Sequence, residues 1–212
     1  MNVLHDKGFY VCLLIGYLFG SILTAEIVSR FFAKKSAGEI GSGNPGMANI
    51  MANVGFGPGV LVLAGDFLKT VAACLLSFAV LKDYRFLTVV LWSGFGALLG
   101  HCYPAWKKFR GGKGVAVCCT WMLLYFGPWG ALIDLIAGII TFITGYLPLG
   151  GIAVPIIAIP FAGAIYGSQA VVFMILAFLA MLPRHMKALK GIGDGSEEKK
   201  FEGIKEKIKG RK

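Results

Sequence analysis

Long apolar runs, each ended by a short polar or glycine-rich break, organise this sequence. The first runs from about Phe9 to Phe32, the second from about Gly57 to Leu81 and the third from about Phe86 to Tyr103. Each can carry a helix across a hydrocarbon layer roughly 30 Å thick, which takes about 20 residues. The remaining apolar stretch, about Gly114 to Leu182, is too long for three helices with ordinary loops. Breaks at Gly127-Pro128, at Tyr146 to Gly151 and at Gly167-Ser168 divide it into four short helices. The pattern therefore predicts an all-α fold of seven transmembrane helices over residues 1–190, followed by a charged tail over 191–212. In that tail Phe201, Ile204 and Ile208 would share one face of a short helix suited to an anionic inner leaflet, the equal alternative being a solvated, disordered tail.

Composition agrees with a polytopic membrane protein. The 212 residues are 57% hydrophobic and 15% charged, against about a quarter charged in soluble domains. The net charge of +10 sits at the ends of apolar runs rather than on a folded soluble face, so it excludes nucleic acid as the expected partner and reads as a topology signal. One side of the expected topology holds 17 Lys and Arg: Arg30, Lys34 and Lys35 at the end of the first run, four from Lys107 to Lys113 and ten from Arg184 to the C-terminus. The other side holds Lys7, Lys82 and Arg85. Positive charge stays inside, which predicts an outside N-terminus and a cytoplasmic C-terminus. The N-terminal run has no basic region before it and no small-residue cleavage site after it, and reads as a retained first span. The five cysteines lack the spacing of a zinc site or a disulfide framework, and no metal cluster is expected.

Polar positions inside the runs are few. Gly16 and Gly20, and again Gly96 and Gly100, have the spacing that lets two helices approach closely. Glu26 must pair or reach the interface, and a structural pair is the preferred reading. Asp66 and Lys69 share one helical face and either pair with each other or wall a polar cavity.

Two glycine-rich loops carry the candidate chemistry. In Gly41-Ser42-Gly43-Asn44-Pro45-Gly46-Met47-Ala48-Asn49 the glycines allow left-handed backbone, so that successive N–H groups can be aimed at one anionic oxygen, with Ser42, Asn44 and Asn49 beside them. The second loop, Trp106 to Gly114, has Gly111, Gly112 and Gly114 around a flexible cation, Lys113, with a helix start following. It is not a Walker A loop, because Gly114 stands where Ser or Thr would bind magnesium. With the Tyr146 to Gly151 bend and Arg184-His185, these loops fall on one side of the expected topology. That convergence favours an anion site at the inner interface.

These residues resemble the bacterial acyl-phosphate:glycerol-3-phosphate acyltransferases of the PlsY type over nearly the whole chain. The resemblance rests on Gly20-Ser21-Ile22, the Gly41 to Gly46 loop with Asn49, Asp66 with Lys69, Gly100-His101 with Pro104, and Gly111 to Ala116. It continues in Gly145-Tyr146 with Leu149-Gly150, and in Arg184-His185 with Gly195 and Glu197. It implies a multi-pass enzyme of the bacterial inner membrane that moves a fatty acyl group from acyl phosphate to glycerol 3-phosphate, without a cofactor. It further implies Ser42, Lys113 and His185 as catalytic residues. Gly41, Gly43, Asn44, Asn49, Gly111, Gly112, Gly114, Arg184, Asp66 and Lys69 would bind substrate, and Glu197 belongs to the last motif.

The chain also departs from the family pattern. Gly38 stands where the family has Arg, Ala52 where it has a basic residue, Leu147-Pro148 where it has Ser, Ala188 where it has Asn and Gly191 where it has Arg. A charge-assisted hydrogen bond contributes roughly 1.5–3 kcal/mol, so losing two weakens a phosphate ligand by orders of magnitude unless another group compensates. Lys34, Lys35 or Lys187 are candidates to do so. The alternatives to the family reaction are a paralogue with a less anionic acceptor, a non-catalytic binder of lipid phosphates, and, more weakly, a transporter.

Overall fold

The computed structural model describes residues 5–197 and 199; the expected tail helix around Phe201, Ile204 and Ile208 lies outside them. The described residues form helices and turns without a strand. Among the described residues, five segments are long and apolar enough to cross a membrane: Lys7–Ala33, Phe56–Val80, Phe86–Lys107, Leu147–Tyr166 and Ser168–Gly193. Val115–Phe126 and Pro128–Thr144 are apolar but shorter. The chain divides into two compact units, Met1–Tyr125 and Phe126–Lys212.

The first unit is built on α1 (Lys7–Gly20) and α5 (Phe86–Cys102). Their small residues interlock. A Cβ on Gly16 would strike the Ser93 carbonyl, one on Gly20 the Ala97 carbonyl and one on Gly100 the Tyr17 carbonyl, while Gly96 lies 3.2 Å from the Gly16 Cα by the same measure. Backbone thus meets backbone, the contact that small residues at this spacing permit in a membrane. Asp6 caps α1 through the Gly8 amide and accepts the Tyr84 hydroxyl, which pins the helix start to the connection before α5.

The expected single first span is two helices, α1 and α2 (Thr24–Ala33), separated at Ser21–Leu23. The Glu26 amide turns to the Leu23 carbonyl at 2.9 Å instead of the Ile22 carbonyl, and Ile22 takes the Lys69 ammonium at 2.8 Å. The Ser21 carbonyl accepts the Trp106 indole N–H at 2.8 Å. A helix break among apolar segments survives only with such replacement partners.

A short turn (Ala37–Glu39) and α3 (Met47–Asn53) follow, then α4 (Phe56–Val80). Helix α3 starts inside the expected polar loop, with Gly46 as its N-cap. Ala25 and Val28 of α2, Ala37, Ile40, Ile50 of α3 and Val62 of α4 form one buried cluster beneath that loop. Helix α6 (Val115–Phe126) lays the Trp121 indole over Gly94, where a Cβ would overlap the ring.

The second unit contains α7 (Pro128–Thr144), α8 (Leu147–Phe161) and α9 (Ser168–Gly193). Gly145, at φ +81, ends α7, and Pro148 falls in the first turn of α8, where a missing N–H is harmless. Gly150 packs against the Ala137 carbonyl and Thr141. Pro155 and Pro160 interrupt the α8 ladder, which ends in a wide π turn at Ala162–Tyr166.

Replacing Gly20 by Val should lower the melting temperature in detergent, corresponding to about 1–3 kcal/mol of overpacking or more, because the obstacle is backbone. Gly138, with nothing within 4 Å of a Cβ, is the control: Gly138→Ala should leave stability unchanged or raise it by about 0.4–1 kcal/mol. Equal melting curves for Gly20→Val and the unaltered protein would contradict the interlocked packing.

Candidate active-site loops

The first loop is held from below by Asn49. Its Oδ1 accepts the Ser42 amide at 3.0 Å and its Nδ2 donates to the Ile40 carbonyl at 2.8 Å, while Asn53 Nδ2 donates to the Asn49 carbonyl at 2.9 Å. Gly41 and Gly43 are left-handed at φ +49 and +72, conformations that a Cβ disfavours. A Cβ on Gly41 would also lie 2.5 Å from Asn49 Oδ1. Three of the loop amides expected to face a ligand are engaged inside the protein. Ser42 N–H goes to Asn49, Gly43 N–H to the Ile40 carbonyl and Gly46 N–H to the Asn44 carbonyl. The reason is local: α3 begins at Met47, which turns the Asn49 side chain back under the loop. What the loop presents outward is Ser42, exposed together with Gly41.

The second loop folds back on the end of α5. Gly111 N–H donates to the Cys102 carbonyl and Gly112 N–H to the His101 carbonyl, both at 3.0 Å. A Cβ on Gly111 would strike the His101 carbonyl, and one on Gly112 the Nε2 of the His101 ring. These glycines are therefore required for close approach, and their amides close the turn rather than cradle a ligand. Gly114, at φ +84, turns the chain into α6 and leaves Lys113 half-buried directly after the two tight positions. Before them Lys108 and Phe109 are both left-handed, at φ +52 and +59, and exposed. Such backbone strain in non-glycine residues clusters where function requires it.

Two buried acids brace these loops. Glu26, 5% exposed, accepts Arg30 on Oε1, and Lys107, the Ser36 hydroxyl and the Ala37 amide on Oε2. One carboxylate thereby ties α2 to the segment leading into the first loop and to the segment leading into the second. This agrees with the structural reading of Glu26. Tyr17 adds to the brace, donating to the Tyr103 carbonyl at 2.8 Å and accepting the Ala105 amide at 2.9 Å.

The second acid, Asp66, is 2% exposed and pairs with Lys69 at 2.7 Å, accepting Thr24 Oγ1 at 3.1 Å as well. Lys69 Nζ also meets His101 Nδ1 at 2.9 Å. Pairing of Asp66 with Lys69 was legible in their spacing. The inclusion of His101 was not, since it lies 32 residues further on.

In the second unit, Arg184 and His185 lie near the end of α9. His185 is fully buried, and its Nδ1–H donates to the Met181 carbonyl at 2.9 Å. Glu197 N–H returns to the Gly191 carbonyl at 2.9 Å, and a Cβ on Gly191 would lie 3.1 Å from Ser196 Oγ. Asp194 accepts the Ser196 hydroxyl and amide, which hold its carboxyl below the usual carboxylate range. Lys199 lies 6.0 Å from the centre of the Tyr146 ring. The segment after α9 and the Gly145-Tyr146 bend are thus neighbours.

The sequence profile of the family described as glycerol-3-phosphate acyltransferase matches residues 10–195. Glycerol-3-phosphate acyltransferase 1 of Lactobacillus johnsonii is 42% identical over 131 residues, 61% of this chain and 62% of that protein. The matched stretch thus spans about three-fifths of that relative's length. The glycerol-3-phosphate acyltransferase of Rubrobacter xylanophilus is 32% identical over 188 residues, 88% of this chain and 92% of the relative. Among solved structures, the glycerol 3-phosphate form of PlsY, an integral membrane glycerol 3-phosphate acyltransferase, superposes with a TM-score of 0.80 at 27% identity, covering 90% of this chain and 94% of that one. With the loops and helices that carry its motifs in place, the chain belongs to the glycerol-3-phosphate acyltransferase family of integral membrane proteins.

Proposed function

We propose that this protein transfers a fatty acyl group from acyl phosphate to the 1-hydroxyl of glycerol 3-phosphate, releasing inorganic phosphate and lysophosphatidic acid for phospholipid synthesis. The observation that carries the reading is the Gly111–Gly114 loop, whose glycines fit against His101 so tightly that Lys113 is presented from a fixed backbone. The relatives' names and the ligand of the similar crystal structure support the acceptor.

The donor is already activated, so the protein's work is orientation and charge compensation. No cofactor is required for that chemistry. Lys113 offsets phosphate charge as a compact ammonium, and exposed Ser42 supplies a hydroxyl donor to a phosphate oxygen. His185 donates from Nδ1 to Met181, which in the neutral ring makes Nε2 the acceptor for a hydroxyl proton. The resemblance assigns Arg184 to substrate binding, and Gly41, Gly43, Asn44 and Asn49 shape the Ser42 loop. The acyl chain is expected to lie along apolar helix faces.

We place the protein in the bacterial inner membrane with seven crossings, counting the two shorter apolar helices, and with the N-terminus outside. The asymmetry of Lys and Arg supports this orientation.

A second reading, in which the acceptor is less anionic, is favoured by the residues that depart from the family pattern. Gly38 contributes no charge, and Pro148 gives helix initiation in place of a hydroxyl. Ala188 is buried, and Gly191 accommodates the Ser196–Glu197 turn where a long side chain would crowd it.

Lys113→Arg should lower kcat/KM for glycerol 3-phosphate about tenfold or more, since a planar guanidinium does not replace an ammonium beside two tight glycines; full activity would make Lys113 a topology charge only. Gly38 is not left-handed, and a Cβ there meets only Ser36 Oγ at 3.7 Å, so an arginine fits. Gly38→Arg with Ala188→Asn should raise glycerol 3-phosphate acylation, and an unimproved double variant would favour a different acceptor. For topology, Lys35→Cys and Arg110→Cys should react with an impermeant thiol reagent only after the membrane is opened, and Lys82→Cys should react in intact cells. The reverse pattern would refute the orientation.

A further inference from the structure

We propose that His101 is a positioning residue for the Gly111–Gly114 loop, with its ring held by the buried Asp66–Lys69 pair as the neutral tautomer that carries its proton on Nε2. Asp66 and Lys69 then serve the reaction through His101 rather than by touching substrate. This rests on the reading of the loop as the glycerol 3-phosphate site.

The argument starts from hydrogen-bond inventory. A lysine ammonium has three donors and no acceptor. The Lys69 ammonium has three acceptors around it: the Ile22 carbonyl at 2.8 Å, Asp66 Oδ1 at 2.7 Å and His101 Nδ1 at 2.9 Å. With its donors used in this way and the residue 7% exposed, Lys69 has none left for a phosphate. Because the ammonium can only donate, His101 Nδ1 must accept, so the ring proton of the neutral imidazole resides on Nε2. Asp66 Oδ1 lies 3.7 Å from Nδ1, too far to take a proton from it in a hydrogen bond. Asp66 is itself fixed by Thr24 and Lys69.

The other edge of the ring faces the loop. Nε2 is the atom that a Cβ on Gly112 would strike, and the His101 and Cys102 carbonyls accept the Gly112 and Gly111 amides. The ring and its backbone therefore set the height and tilt of the two residues that precede Lys113. A ring free to rotate about χ2 would move Nε2 and Cδ2 against Gly112 and displace the cation, and the Lys69 donor prevents this. Small displacements of a positioned charge are sufficient to reduce catalysis substantially.

The tautomer can be read directly by NMR on protein labelled with 15N-histidine. The chain has three histidines, His5, His101 and His185, and the His101 signals are assigned by their loss in His101→Gln. Nδ1 of His101 should resonate as a bare acceptor nitrogen and Nε2 should show one-bond coupling to a proton; a proton on Nδ1, or on both nitrogens, overturns the proposal. In kinetics, Asp66→Leu with Lys69→Leu should raise KM for glycerol 3-phosphate about tenfold or more, with a smaller change in kcat. Asp66→Asn with Lys69→Gln, which keeps an amide donor against Nδ1, should recover most of that loss. A leucine pair that melts like the unaltered protein and keeps its KM overturns the proposal. If the leucine pair does not fold, the Asn–Gln pair decides: it must retain the Nε2 proton on His101, and a proton on Nδ1 in that variant overturns the proposal. Failure of the unaltered protein to acylate glycerol 3-phosphate would defeat the proposed acceptor instead. The tautomer, and the order of the variants in Kd for inorganic phosphate, would then decide the role of His101.

Discussion

The hydrogen bond from Lys69 to the Ile22 carbonyl is the contact on which the first unit depends most. A break within an apolar run leaves carbonyls that water cannot reach, and each such group costs several kcal/mol if left bare. Here the break is used. The Ile22 carbonyl fixes a buried ammonium, and the Ser21 carbonyl fixes Trp106 at the start of the second loop. The interlocked glycines of α1 and α5 bring these groups within reach, since Gly20 and Gly100 allow the helix ends to meet beside the break.

From there the two acids divide the work. Glu26 gathers two cations, a hydroxyl and an amide from segments that enter both loops, so the loops are held relative to each other by a single carboxylate. Asp66 neutralises Lys69, which lets a buried cation be tolerated and aimed at His101. Removing one partner from such a buried set costs more than the pair contributes, because the remaining charge stays in a low-dielectric site. The phosphate chemistry proposed for Lys113 thus stands on a neutral, closed network beneath it, and the Gly111 and Gly112 amides are spent on closing the turn.

Much of this was legible in the sequence. The glycine pairs of α1 and α5 follow from spacing alone, because their contact is between backbones and depends on no rotamer. Pairing of Asp66 with Lys69 follows from their sharing a helical face. The breaks at Gly127 and Gly167 follow from residues that take positive φ without strain, while the break expected over Tyr146 to Gly151 falls at Gly145-Tyr146, because Pro148 starts α8 instead of ending a helix. Three features were not legible, for one physical reason: each depends on a contact distant along the chain or on where a helix starts. The Glu26–Lys107 bond spans 81 residues, and the His101–Lys69 contact spans 32. Asn49 was visible as a polar residue beside Ser42, but its role as a brace depends on α3 beginning at Met47, inside a run that read as loop. Ser42 and Lys113 stood out by their place in glycine-rich loops and His185 by its side of the topology, whereas their catalytic roles came only from the family resemblance.

The chain keeps the scaffold of its family while changing several of the polar positions expected around the phosphate, and the central claim is that the scaffold still carries the reaction. The direct measurement is an acyl-transfer assay of the purified, unaltered protein in lipid nanodiscs, with acyl phosphate as donor and a panel of acceptors from glycerol 3-phosphate to uncharged polyols. The account predicts lysophosphatidic acid and inorganic phosphate in equal amounts, with glycerol 3-phosphate the preferred acceptor. Transfer to an uncharged polyol with none to glycerol 3-phosphate, or no transfer to any acceptor, would contradict it.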